Sequence, residues 1–333
     1  MIEIDGSFGE GGGQIVRTAV ALAAVTGTAL KVTKIREGRP KPGLAAQHAQ
    51  AILALARICR ARTNGVLPGS TEIFFEPGQI VGGNYSIDIG TAGSITLLLQ
   101  CLLPAMLKAD QPTTLTITGG TDVRWSPTID YFKFVFLPAL EEFGANIQLE
   151  CKKRGYYPRG GGLVVLTVVP GNMKAAHFKS QHHGVVHGLS HCSNLPDHVA
   201  RRQAESAASV LKDSGYESKL AEDVLEEKST GSGITLWSGY KGSSALGQRG
   251  IRAEDVGKAA AKEIIAELAM PAAVDLHLAD QLIPYMAIAG GSYTVRAISK
   301  HASTNIWTAS HFLKTKIEIE EKGMFEIRGK FGQ

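Results

Sequence analysis

The chain reads as an α/β (α+β) protein built from three similar units, with a smaller α/β domain inserted before the third. Three observations lead there. A glycine-rich turn opening an apolar helix occurs twice, in GEGGGQIVRTAVALAAVTG and in GTAGSITLLLQCLLPAML. Each helix is followed by an alternating strand, a polar turn and a second helix, and the same order returns near the C-terminus. Between the second and third occurrences lies a segment of different pattern. Self-similarity of this kind marks duplicated supersecondary units, and a finished fold tolerates insertion at an exposed loop.

In the first unit the helix is followed by the strand ALKVTKI, then by REGRPKPGLAAQHAQAILALARI as turn and helix, then by strands TEIFFEP and YSIDIG. The second unit runs from its helix to the strand TTLTITG, the turn and helix GTDVRWSPTIDYFKFVFLPALEEF, and the strands NIQLECKK and GGLVVLTVVP. The third comprises the helix DQLIPYMAIAG, the strand SYTVRAI, the turn and helix SKHASTNIWTASHFL, and closing strands in TKIEIEEKG and MFEIRGK. The insert carries the strand GVVHGLSH, the helix PDHVARRQAESAASVLKDSG, the strands SKLAEDVL and GITLWSG, and the helix RAEDVGKAAAKEIIAEL. Residues 1–180 with 272–333 are therefore assigned to the large domain and 181–271 to the insert.

The 333 residues are 44% apolar and 20% charged, ordinary for a globular protein with a large core. A formal net charge of +4 suits an anionic substrate and falls short of a nucleic-acid-coating protein. Four scattered cysteines without a CxxC pair point to reduced thiols and a cytoplasmic location. The N-terminal residues MIEIDGSFGEGGG lack the basic-then-apolar order of a leader. No apolar run reaches the roughly 20 residues of a membrane span, so no membrane partner is expected. The oligomeric state is left open.

Three strand-to-helix turns are equivalent by position: they carry Arg36 and Arg39, Asp122 and Arg124, and His301. Such turns favour anions through free N–H groups and the helix dipole. In GEGGGQIVR, Glu10 sits in a run that folds tightly against a ligand, with Gln14 and Arg17 on the helix that follows. That run is either a phosphate cradle with Glu10 free for a divalent cation or a purely structural turn. Arg36, Arg39 and Lys41, followed by Gln47 and His48, form either a phosphate-binding fork or a solvated basic turn. Asp280 in HLADQLIPYMA fits a helix N-cap. His182, His183, His187, His191 and Cys192 lie close in sequence, but their spacing matches no standard zinc pattern and is read as non-metal. His301 has no adjacent Ser or Cys nucleophile, which leaves two options: a structural histidine or itself a covalent nucleophile.

Taken together, GEGGGQIVR, REGRPKPGLAAQH, GTAGSITLLLQ, GGTDV, HLADQ and HASTNI resemble the RNA 3′-terminal phosphate cyclase family, in order and along nearly the whole chain. The resemblance implies three βαβαββ repeats and a thioredoxin-like βαββα insert. It also implies ATP as a substrate with Mg²⁺ or Mn²⁺, and RNA with a 3′-terminal phosphate as partner. The implied reaction forms a histidine–AMP adduct, then an RNA(3′)pp(5′)A anhydride, then a 2′,3′-cyclic phosphate.

Carried over by position, the resemblance makes His301 the adenylylated nucleophile and Glu10 the metal ligand. Gln14, Arg17, Arg36, Arg39, Gln47 and His48 fall at phosphate-binding positions. Gln100, His277, Leu278, Ala279, Asp280 and Gln281 fall in nucleotide-binding segments, with Pro127 and Tyr131 flanking the adenine. A family tyrosine is replaced at His277, and VRWSPTIDY departs from the family pattern. The alternative is a non-enzymatic cyclase-like RNA-binding or ribosome-assembly protein, a type that lacks the nucleophilic histidine. Enolpyruvyl transferases, with six such units, are a rival at the level of fold.

Overall fold

The structure is a computed structural model and describes residues 1–179 and 184–330. The described residues form a mixed α/β molecule with four four-stranded mixed sheets. In the first, β1 (Ile2–Asp5), β2 (Leu30–Thr33), β3 (Arg62–Asn64) and β4 (Ile73–Glu76) lie in the order β1-β2-β4-β3. β1 and β2 are parallel, so the chain must cross over between them. It does so through α1 (Gly13–Thr26), while α2 (Ala46–Ile58) joins β2 to β3.

The second sheet has the order β5-β6-β8-β7, from β5 (Gly83–Asp88), β6 (Thr113–Gly119), β7 (Asn146–Lys153) and β8 (Gly162–Val169). Its helices are α3 (Ile95–Met106), then α4 (Ile129–Tyr131) running through a π-helical turn (Phe132–Phe136) into α5 (Leu137–Glu142). YSIDIG, read from sequence as a closing strand of the first unit, is β5, and it opens the second sheet by pairing parallel with β6 from Gly83↔Thr113. A strand's alternation shows its two faces and not its neighbour, which is why the assignment missed.

Four strands lie in the segment that follows: β10 (Val186–Ser193), β11 (Ser218–Leu225), β12 (Gly231–Ser238) and β13 (Lys241–Leu246), in the order β11-β10-β12-β13. They enclose a separate apolar cluster with α6 (His198–Asp213) and α7 (Ala253–Leu268), including Leu211, Ile234, Leu236 and Ile264. The sequence showed three strands here. β13 was hidden because KGSSAL has no apolar alternation; it is a strand by virtue of its ladder to β12 from Gly233↔Leu246.

The last sheet takes β9 (Ala176–His177) from before this segment and β14 (Gly291–Val295), β15 (Lys316–Glu321) and β16 (Phe325–Lys330) from after it, in the order β15-β16-β14-β9. Its helices are α8 (Leu276–Ala289) and α9 (Lys300–Ser310).

Every residue of α1 from Ile15 to Val25 is buried. Its later turns, Ala19 to Val25, are apolar on all sides and belong in a core, and α1 packs against α2, α3 and α9. This central helix therefore lies where helices of the first, second and last sheets meet. All four cysteines are free thiols. Among the described residues no helix is long and apolar enough to cross a membrane.

Candidate active site

The N-terminus of α1 opens into a cleft of ≈ 640 Å³. The glycine run before it has two demands. Gly9 and Gly11 stand at φ 64° and 54°, where a side chain is disfavoured. Gly13 has no room for a Cβ, because the His48 imidazole lies against it. The N-cap Gly12 supplies no side-chain cap, so the first amides of α1 face the cleft without a partner from the cap.

His301 sits in the first turn of α9, whose N-cap Ser299 accepts from Ala302 N. Its Nε2 lies 3.4 Å from Glu10 Oε2, and Arg39 Nη2 approaches the same oxygen at 3.6 Å. Four contacts tie the glycine run, α1, α8 and α9 together. Gln14 Nε2 donates to the His301 carbonyl at 3.4 Å. Thr18 Oγ1 donates to Asn305 Oδ1 at 2.8 Å, and Asn305 Nδ2 donates to the Asp280 carbonyl at 2.9 Å. Phe8 stacks on Trp307, with ring centroids 4.0 Å apart and planes 14° off parallel. Across the cleft, Gln100 Nε2 donates to Gln281 Oε1 at 2.8 Å and Gln281 Nε2 to the His277 carbonyl at 2.9 Å.

Charge is unevenly distributed. Arg17 is 8% exposed, and among the described residues its guanidinium makes no hydrogen bond or ion pair. Burial lowers its pKa to about 10, opposed by the nearby Cys101 and Asp280. Arg36 is held at φ 55° with Nη1 on the Gly43 carbonyl at 2.9 Å. Burial, then Arg17 and Arg36, push His48 down to about 3, so it is a neutral ring. His301 is also lowered, first by burial, against the raising influence of Glu10. A neutral imidazole keeps a lone pair for attack. His277 goes the other way, up to about 9, chiefly through its hydrogen bond to Glu263 Oε1 at 3.2 Å. Burial raises Asp280 to about 7 and Asp275 to about 6.

The cleft collects Glu10, Gln14, Arg17, Arg36, Arg39, Gln47, His48, Gln100, Pro127, Tyr131, His277, Asp280, Gln281 and His301. It does not collect Leu278 and Ala279. These belong to the apolar core, because on a helix of 3.6 residues per turn positions 277, 280, 281 and 284 share one face and 278 and 279 point away. Asp280 is not an N-cap. α8 begins at Leu276, and Asp275 caps it by accepting from His277 N and Leu278 N at 2.8 and 2.7 Å. Tyr131 is 3% exposed and its hydroxyl donates to Asp275 at 2.8 Å, so it reaches the cleft only as part of a buried wall.

The histidine run does not assemble. His182 and His183 lie outside the described residues, His187 is exposed beside Trp237, and His191 is fully buried. His191 Nδ1 meets the Tyr156 hydroxyl at 2.8 Å. His191, Asp122 and Asp130 place one ligand atom each within 4.8 Å of one another. The cation there is Arg154, whose Nη1 lies 3.2 Å from Asp122 and 2.9 Å from Asp130.

Sequence reasoning passed over Thr18, Trp125, Ser243, Ser244, Glu263 and Asn305, all of which line the cleft. Asn305, one turn after His301, was open to detection from helix phase. Ser243, Ser244 and Glu263 come from β13 and α7, and nothing local announces them.

A family model described as RNA 3′-terminal phosphate cyclase matches residues 8–319. The chain belongs to the RNA 3′-terminal phosphate cyclase family. Curated relatives with that name include one from Methanosarcina acetivorans, 55% identical over 98% of this chain and 99% of the relative. Another, from Pyrococcus furiosus, is 44% identical over 100% of this chain and 97% of the relative. The solved enolpyruvyl transferase NikO from Streptomyces tendae aligns at a TM-score of 0.41 with 8% identity, covering 99% of this chain and 49% of that one.

Proposed function

We propose that this chain is an ATP-dependent enzyme that converts an RNA 3′-terminal phosphate to a 2′,3′-cyclic phosphate. Its scaffold is three βαβαββ repeats with a thioredoxin-like insert. The observation that carries the reading is the approach of His301, near the end of the chain, to Glu10, near its start, at 3.4 Å beside Arg39 and the uncapped N-terminus of α1.

A ring nitrogen of His301 attacks the α-phosphorus of ATP. An N–P bond forms, the bond to the bridging oxygen breaks, and pyrophosphate leaves with the electron pair. Arg17, Arg36, Arg39 and the α1 amides are donors suited to the charge that develops on those oxygens. A terminal phosphate oxygen of RNA then displaces His301 from the adenylyl phosphorus, giving RNA(3′)pp(5′)A. The 2′-hydroxyl closes on the activated phosphorus, the bond to AMP breaks, and the hydroxyl proton is released. The ribose holds hydroxyl and phosphate adjacent, so little orientation entropy remains to be lost. His277 and Gln281 with Gln100 bind the nucleotide from the wall opposite.

A divalent cation fits Glu10. Mg²⁺ is commonly held by one or two carboxylates plus substrate phosphates, and Glu10 is a half-buried carboxylate at the phosphate end of the cleft. Mg²⁺ or Mn²⁺ there would neutralise phosphate charge. The same reading implies a cytoplasmic location. The non-enzymatic alternative loses ground because it gives the His301–Glu10 approach no task.

The test is product formation. RNA ending in a labelled 3′-phosphate, incubated with ATP and Mg²⁺, should acquire a phosphatase-resistant end together with one AMP and one pyrophosphate per end. An end that stays phosphatase-sensitive through prolonged incubation with active-site-titrated protein would refute the reading.

A further inference from the structure

Two aromatic side chains on adjoining turns stand in water, one of them at the cleft. Trp125 is 92% exposed and Tyr157 is 77% exposed. Trp125 lines the cleft, and its backbone is at φ 62°, a region that bulky residues rarely occupy. The turn is braced on both sides. Ser126 Oγ donates to the Val123 carbonyl at 2.8 Å, and Thr96 Oγ1 donates to the Pro127 carbonyl at 2.8 Å. A strained conformation held this way, presenting a large apolar ring outward, is a reason to look for a ligand.

The turns bearing Trp125 and Tyr157 are joined. Thr121 N and Asp122 N both donate to the Gly155 carbonyl, at 2.8 and 3.2 Å, and Asp122 forms a bridge with Tyr156. Beneath them Arg154 holds Asp122 and Asp130 in a buried ion-pair cluster. One bridge and four residues therefore separate Trp125 from Tyr157, no more than roughly 20 Å at ~3.6 Å per residue. Lys228 lies against the same loop at Gly161. Arg124, Arg159 and Lys228 are exposed, and among the described residues none of them makes an ion pair. Of the acidic groups nearby, Asp122 and Asp130 are buried on Arg154, the part-exposed Asp223 turns its Oδ2 to Arg154 Nε at 3.8 Å, and Glu226 and Glu227 precede Lys228 in sequence.

We infer that Arg124, Trp125, Tyr157, Arg159 and Lys228 form a track for the single-stranded RNA that precedes the 3′-terminal phosphate. Exposed rings alternating with unpaired cations are what sequence-tolerant single-strand binding requires: every base has a face to stack and every nucleotide a phosphate. The span takes up to about six nucleotides at ~3.4 Å each. The track rests on the cyclase reading of the cleft, because that reading places the terminal phosphate at the α1 end. It adds that affinity comes from RNA length as well as from the phosphate.

The experiment measures binding of a 3′-phosphorylated series, from a mononucleoside 3′-phosphate to a hexanucleotide of mixed sequence, to the full chain without ATP. Wild type should bind the hexamer far more tightly than the mononucleotide. In Trp125→Ala/Tyr157→Ala that ratio should fall by roughly 10- to 100-fold, with Trp125→Phe/Tyr157→Phe retaining most of it. Arg124→Gln/Arg159→Gln/Lys228→Gln should reduce the slope of log affinity against log salt by about 2, at ~0.7 per phosphate contact on a single strand.

Length-independent binding by wild type, or an unchanged ratio in the aromatic double variant, would overturn the track while leaving the cyclase reading standing. A Trp125→Ala protein that keeps the length ratio but needs much more ATP would assign the indole to adenine, which also overturns the track. Wild type that binds no 3′-phosphorylated ligand would bring down the cyclase reading and the track with it.

Discussion

Arg17 is placed for a ligand at a cost to the fold, and replacing it by methionine should expose that cost. The methionine keeps most of the stem's volume and removes the charge. In wild type the guanidinium is 8% exposed and has neither a hydrogen bond nor an ion pair among the described residues. Burial brings its pKa down to about 10. At ~1.4 kcal/mol per tenfold, that fall corresponds to about 3 kcal/mol held against the charged form in the folded state. Arg17→Met should recover part of it, about 1–3 kcal/mol, reduced by the lost attraction to Asp280. With an unfolding entropy of ~2.1 cal/mol/K per residue, the gain is a rise of roughly 2–4 °C in Tm.

Pyrophosphate or ATP should reverse the ranking. Each stabilises wild type by mass action and should leave Arg17→Met nearly unmoved. The assay is thermal unfolding of both proteins across a ligand titration. If Arg17→Met unfolds several degrees below wild type without ligand, the guanidinium is a structural group and the reasoning fails. Equal ligand-induced shifts in the two proteins would refute it equally.

Other outcomes follow from the same geometry. His48 takes a proton near pH 6.5 when unfolded and only near 3 when folded, so the unfolded state binds more protons between those values. Its contribution is fully present above pH 6.5 and falls with pH, by about 3 kcal/mol at pH 4.5; His48→Asn should flatten the urea-midpoint profile over that window. Arg154→Met leaves Asp122 and Asp130 buried without their cation, and urea unfolding should register a loss of about 3–5 kcal/mol. Phe8→Ala removes the stack on Trp307 that sets the glycine run against α9. Single-turnover uptake of AMP should slow about tenfold with the KM for ATP changed less than twofold, and Phe8→Tyr should restore it.

Much of the site was legible because its chemistry is concentrated in short runs. Glu10 lies within a glycine turn that Gln14 and Arg17 follow, and Arg36 and Arg39 follow a strand; these local signals single out residues that the cleft then collects. Helix phase was the information left unused. Leu278 and Ala279 share a segment with His277 and Asp280 but face the core. The rest depends on long-range assembly. Nothing near Gly13 in sequence says that His48 fills the space of its missing Cβ. Nothing in KGSSAL says that it is a strand until β12 pairs with it. The Asp122–Asp130–Arg154–His191 cluster joins the turn after β6, α4, the residue just after β7, and β10, which no spacing rule links.

The central claim is that His301 carries AMP, and the most direct measurement is covalent labelling. The protein is incubated with α-labelled ATP and Mg²⁺ but no RNA, denatured, and assayed for retained label and its site. The account predicts label on His301 that is acid-labile and alkali-stable, as a phosphoramidate is, and absent from His301→Ala. Wild-type protein that retains no label, or a His301→Ala protein that retains it, would contradict the account.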